Sequence, residues 1–128
     1  MDAVGSLYEI LGEQRLRALI AAFYRRVRTD EMIGPLYPPE DWEGSQIRLT
    51  DFLIGRFGGP PTYIEERGHP RLRMRHVNFS IGLAERDRWL DLMTQAMNEA
   101  EIPPDVTPVL SAFFAQVADF MRNREEPA

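Results

Sequence analysis

Between Glu13 and Thr29 the apolar residues Leu16, Leu19, Ile20, Phe23, Tyr24 and Val27 recur every three or four positions, which lines one face of a helix. The same spacing returns twice near the C-terminus. Trp89, Met93, Ala96, Met97 and Ala100 share a face in a helix predicted over Ala84–Ala100. Val106, Val109, Leu110, Phe113, Phe114, Val117, Phe120 and Met121 do so in one predicted over Asp105–Arg122, with Asp105 as its cap. Ser45, Leu49, Phe52 and Arg56 align along a further helix, Trp42–Arg56, capped by Asp41. A short helix over Leu7–Leu11 starts at a Ser6 cap and stops at Gly12.

Gly34, Pro35, Pro38 and Pro39 break the chain into a turn, and Pro103 with Pro104 makes another. Residues 58–70, opened by Gly and Pro and closed by Gly68 and Pro70, read as a long irregular connection of the kind that carries function. A helical turn over Arg71–Val77 follows, since proline suits a helix start. No alternating run suggests a sheet, and no repeat suggests a second unit. The pattern predicts one all-α domain over residues 1–128, with a frayed polar tail from Asn123.

Composition narrows the partners. The 128 residues suffice for one core that buries roughly two-thirds of the unfolded surface. A net charge of −5 argues against nucleic acid. The absence of cysteine excludes disulfides, iron–sulfur clusters and covalent haem attachment through C-x-x-C-H. No apolar run reaches the roughly 18 residues of a membrane span, and the acidic start lacks a secretory n-region, so the expected setting is the cytoplasm. All 15 basic residues are arginine, whose fork suits carboxylates.

The chemistry rests on few residues. His69 and His76 are the two histidines, and Pro70 disfavours a continuous helix joining them, so a two-histidine metal site is not expected. His76, among Leu72, Val77, Phe79 and Ile81, is either a satisfied core histidine or a single axial ligand to a haem iron. Arg67, Arg71, Arg73 and Arg75 form either a solvated basic face or a set of donors for the carboxylates of a prosthetic group. Tyr24, Tyr37 and Trp89 are either ordinary core aromatics or convergent donors around a small polar ligand.

The stretches AAFYRRV, LYPPEDW, RLTDFL, FGGPPTY, RGHPRLRMRH and ERDRWL, in that order, resemble the group II truncated haemoglobins over about Leu7–Met121. The resemblance implies a two-over-two helical sandwich, a truncated globin-like fold, with non-covalent haem b between its helix pairs. The Glu13–Thr29 and Trp42–Arg56 helices would form one pair, and the two C-terminal helices the other. By the same resemblance His76 matches the proximal iron ligand. Tyr24, Tyr37 and Trp89 match the residues that face a bound gas. Ser45 stands where most globins carry a distal histidine and leaves a short route past it, while Leu49 presses on the haem face. Phe52, Leu72, Phe79 and Met93 fall among the haem-binding positions. Arg48, Tyr63 and Arg75 match propionate-contacting positions, and His69 is a further candidate for that role. Phe57 departs from the tryptophan that several relatives carry before GGP.

The implied function is reversible binding of O2, CO, NO or similar ligands, with oxygen held tightly by two or three donors worth about 1–1.5 kcal/mol each. That suits sensing or scavenging better than delivery. The alternatives are a haem-based redox enzyme, a nitric oxide dioxygenase or peroxidase needing an external reductase, and a haem-free helical module binding an acidic partner. A monomer and a homodimer both fit.

Overall fold

The computed structural model describes residues 4–68 and 81–121. Among them run six α-helices: α1 Leu7–Leu11, α2 Glu13–Val27, α3 Trp42–Arg56, α4 Thr62–Arg67, α5 Leu83–Glu99 and α6 Thr107–Phe120. Short 3-10 turns at Val4–Ser6 and Gly34–Leu36 supplement them.

α2 is the centre of the packing. Its Leu16, Leu19, Ile20, Phe23 and Val27 are fully buried, because their spacing turns one face continuously inward. It packs on α3 and on α5, and α5 packs in turn on α6. The two helix pairs are those expected of the two-over-two sandwich. Each fully buried Leu or Phe stabilises this core by roughly 1.5–3 kcal/mol.

Aromatic rings continue the core from one end of α3 to the other. Phe57 meets Phe113 edge-on at 5.1 Å, Phe113 meets Phe114 at 5.6 Å, and Phe114 meets Trp89 at 5.7 Å. Trp89 leans on Phe23 at 5.0 Å, and Tyr24 follows at 5.5 Å from Phe23. Such contacts add about 0.5–1.5 kcal/mol each beyond their area. Exposed ion pairs fasten the edges: Arg25 and Arg26 both reach Glu99, tying α2 to α5, and Arg86 reaches Asp119 at 2.8 Å, tying α5 to α6.

Two turns need glycine. After α2 the chain doubles back so closely that a Cβ on Gly34 would stand 2.7 Å from the Val27 carbonyl oxygen. After α3, Gly58 takes φ +99°, and a Cβ there would meet the Gly5 carbonyl oxygen at 2.2 Å. Beside it the Tyr8 N–H donates to the Phe57 carbonyl at 2.8 Å, docking α1 against the end of α3.

The structure corrects three expectations. Residues 58–70 are not wholly irregular: α4 forms at Thr62–Arg67, its Glu65 N–H donating to the Pro61 carbonyl, and Gly68 at φ +77° ends it. Six residues between Pro61 and Gly68 are too few to show a period, so spacing does not reveal this helix. The expected caps differ as well. Neither Ser6 nor Asp41 makes a side-chain cap, and α6 starts at Thr107, with Val106 rather than Asp105 at its N-cap. Asp41 instead lends its carboxylate to Arg48 at 3.0 Å. Finally, α2 stops at Val27, two residues early, where Asp30 takes over the chain.

Candidate functional site

Between the helix pairs lies a cavity of about 520 Å³, within the roughly 300–1,000 Å³ of small-molecule sites. Most of its lining is apolar, including Ile33, Leu36, Leu49, Phe52 and Val117. Tyr24 and Trp89, from α2 and α5, stand in its wall with Tyr37 from the turn before α3. Ser45, Arg48, Leu49 and Phe52 line it from α3, and Tyr63 from α4. Eight of the positions expected at the site therefore share one cavity. Met93 is on α5 but lines a separate cleft of about 170 Å³, with Leu90, Met97 and Phe114. His69, Leu72, Arg75, His76 and Phe79 lie outside the described residues.

Most of the polar and aromatic residues in the wall are held by contacts with their neighbours. Tyr24 is 4% exposed, and its hydroxyl donates to the Ser45 backbone carbonyl at 3.1 Å. That bond ties α2 to α3 across the cavity rim. The Tyr37 ring packs edge-on to Tyr24 at 5.7 Å and stacks on Trp42 at 5.4 Å, 22° from parallel. The Arg28 guanidinium lies over the Trp42 ring, 5.6 Å from its centre. Trp89 is clamped between Phe23 and Phe114. Phe52 and Tyr63 meet edge-on at 5.8 Å, which seats α4 on α3. Arg48 is held by Asp41 and by the Ser45 hydroxyl, to which it donates at 3.2 Å.

Burial pushes the Tyr24 hydroxyl well above its usual pKa, Tyr37 adds to the rise, and Arg48 opposes it. Burial likewise pushes Tyr37 up to about 12, with Trp89, as a hydrogen-bond donor, pulling the other way. Both phenols therefore keep their protons throughout the physiological range, Tyr24 donating to Ser45 and Tyr37 accepting the Trp89 N–H.

Sequence reasoning did not single out several lining residues. Ile33, Leu36 and Pro38 enter from the turn before α3, and Glu85 and Arg86 from the first turns of α5. No sequence signal marks Arg86, because its neighbours are charged too. Val117 and Met121 sit on the apolar face already recognised in α6 and could have been assigned to the cavity. Trp42 has acidic neighbours in sequence and so carries no apolar pattern, yet it is the platform for Tyr37.

The walls suit a flat apolar group with anionic edges. Aliphatic and aromatic side chains line the faces, and Arg48 and Arg86 supply cations at the margin. Among the described residues no helix is long and apolar enough to cross a membrane.

Comparison with known proteins agrees with this geometry. Residues 6–123 match the family model of bacterial-like globins. The "Group 2 truncated hemoglobin YjbI" of Bacillus subtilis is 35% identical over 119 residues, 93% of this chain and 89% of the relative. The crystal structure of haemoglobin from the thermophilic phototroph Chloroflexus aurantiacus superposes with a TM-score of 0.88 at 44% identity, covering 93% of this chain and 98% of that one. The truncated, oxygen-avid haemoglobin of Bacillus subtilis gives 0.87 at 35% identity, covering 92% and 99%. With these comes globin-type binding of small haem ligands. The chain belongs to the bacterial-like globins and, within them, to the group II truncated haemoglobins.

Proposed function

We propose that the protein holds haem b non-covalently in the 520 Å³ cavity, with His76 as the proximal iron ligand, and binds dioxygen reversibly with slow release. The observation that carries this reading is the convergence of Tyr24, Tyr37 and Trp89 on one largely apolar cavity. Haem, when bound, supplies an iron with one open position for a diatomic gas.

The chain's own residues supply the rest. Leu49 and Phe52 give a face for the macrocycle and exclude water, which strengthens every nearby dipole. Arg48 and Tyr63 offer donors to the propionates, with Arg75 and His69 as further partners of the same kind. The Trp89 N–H is donated to the Tyr37 oxygen, which leaves the Tyr37 O–H for a ligand that gathers negative charge; the indole N–H reaches such a ligand by exchanging or sharing that bond. Each donor is worth about 1 kcal/mol, close to tenfold in affinity. Ser45 leaves room beside them for a gas to enter. The oxygen-avid character of the Bacillus subtilis relative is in keeping with this donor set.

The test is optical. Protein mixed with ferric haem should develop a strong Soret band that shifts on reduction and again with carbon monoxide, and His76→Ala should lose most of its haem affinity. Trp89→Phe should release oxygen faster by about tenfold. A chain that develops no Soret band, or a His76→Ala variant with full haem affinity, overturns the reading.

A further inference from the structure

Asp30 and Arg88 are 58 positions apart and do not line the cavity, yet they join the two elements that carry its donors. The Asp30 side chain is 4% exposed. One carboxylate oxygen, Oδ2, accepts the Met32 and Ile33 backbone N–H groups at 3.1 and 2.9 Å and so closes the turn after α2. The other, Oδ1, accepts Nε of Arg88 on α5 at 2.6 Å. The Asp30 backbone is used too: its N–H donates to Val27 and its carbonyl accepts from Gly34. From there the Leu36 N–H bonds Ile33 and the Tyr37 N–H bonds Gly34, at 3.0 and 3.1 Å. A displacement at Asp30 is thus passed along a stapled turn to Tyr37. At the other end, Arg88 immediately precedes Trp89, whose indole lines the cavity.

We infer that the Arg88–Asp30 pair is a strut that sets the spacing between Tyr37 and Trp89, making Arg88 and Asp30 positioning residues for retention of the bound gas. Exposed ion pairs contribute little, but this one differs in kind. Its acceptor is buried and fully engaged, and its donor is Nε, close to the stem of the side chain, which leaves the guanidinium little freedom. Arg88 also reaches Asp91 at 3.0 Å, which aims it along α5. Tyr37 also rests on Trp42 of α3 and takes a hydrogen bond from Trp89 of α5; the strut fixes the backbone of the turn to α5 beneath that side-chain bond.

The inference rests on the haem reading, and its test separates the two. Arg88→Met keeps the stem and leaves Asp30 closing its turn. Asp30→Asn keeps an oxygen for the backbone N–H groups while turning the tie into a donor–donor contact. In haem-loaded protein each variant should speed oxygen release about three- to tenfold, the loss of one well-placed donor. Each should also move the C–O stretching band of the carbon monoxide complex. Combining the two should be no worse than either alone, and Arg88→Lys should restore part of the effect. In a Tyr37→Phe background Arg88→Met should add nothing, because its route runs through that hydroxyl. An unmoved band and release rate, or an increment that persists in Tyr37→Phe, overturns the strut. Should the chain bind no haem, the haem reading falls, and amide exchange over residues 33–37 in the haem-free protein decides the strut alone. Roughly tenfold faster exchange in Arg88→Met at an unchanged melting point supports it, and unchanged exchange overturns it. If Arg88→Met does not fold, Asp30→Asn carries the same comparisons.

Discussion

A phenol has one proton to donate, and Tyr24 gives its proton to the Ser45 carbonyl. Its place beside a bound gas is therefore that of an anchor, while the Trp89 N–H can only donate and goes to Tyr37, a side-chain partner it can share with a ligand. Tyr24→Phe is accordingly expected to cost about 1 kcal/mol in stability, measured by denaturant unfolding. It should change the oxygen release rate less than Trp89→Phe does, as read by stopped-flow mixing. Tyr37 makes a second prediction. Its pKa is raised from an ordinary 10.0 to about 12 in the folded protein, so the neutral phenol is favoured by folding. The linked stability is fully present below pH 10 and is lost as pH rises through 12. Unfolding followed between pH 9 and 11.5 should show a steeper alkaline decline in the wild type than in Tyr37→Phe, on the order of 1–2 kcal/mol at the upper end.

The long helices were legible from spacing because their apolar faces are what the core consumes: all six residues picked out in α2 are buried, and Ala22 joins them. What spacing could not give was anything decided by close approach. α4 is too short to carry a period, and Gly34 and Gly58 are explained by carbonyl oxygens brought up from other segments. The cap expected of Asp41 was diverted to Arg48, a partner two turns along α3 that propensity does not weigh. The walls of the site were legible mainly through family resemblance. Residues alone could not choose between core aromatics and donors for Tyr24, Tyr37 and Trp89, since burial is common to both. At the end of α3, Phe57 is fully buried and edge-on to Phe113, with Arg56 lying over the same Phe113 ring at 5.7 Å. Phe57→Trp, though it restores a residue found in several relatives, is expected to overfill this pocket and cost about 1–3 kcal/mol, seen as a lower denaturation midpoint with an unchanged slope.

For the molecule as a whole, the cavity is the main cost of the architecture. α2, α3 and α5 hold open a volume that close packing would otherwise fill, and its lining forgoes contacts that a closed core would make. A ligand confined to the folded state repays that by mass action. Saturation with ferric haem at about a hundred times its dissociation constant should stabilise the fold by about 2.7 kcal/mol, visible as a rise in melting temperature that grows with haem concentration. Chain lacking His76 should show little of this rise. The two tryptophans carry one more consequence. Trp89 stands in the cavity wall and Trp42 stacks on Tyr37 at its edge, so every indole in the chain lies at the same site. A strongly absorbing cofactor seated there would drain the excited state of both by energy transfer. Ultraviolet emission is then a built-in gauge of occupancy, bright in the empty protein and dark in the loaded one, with no label attached.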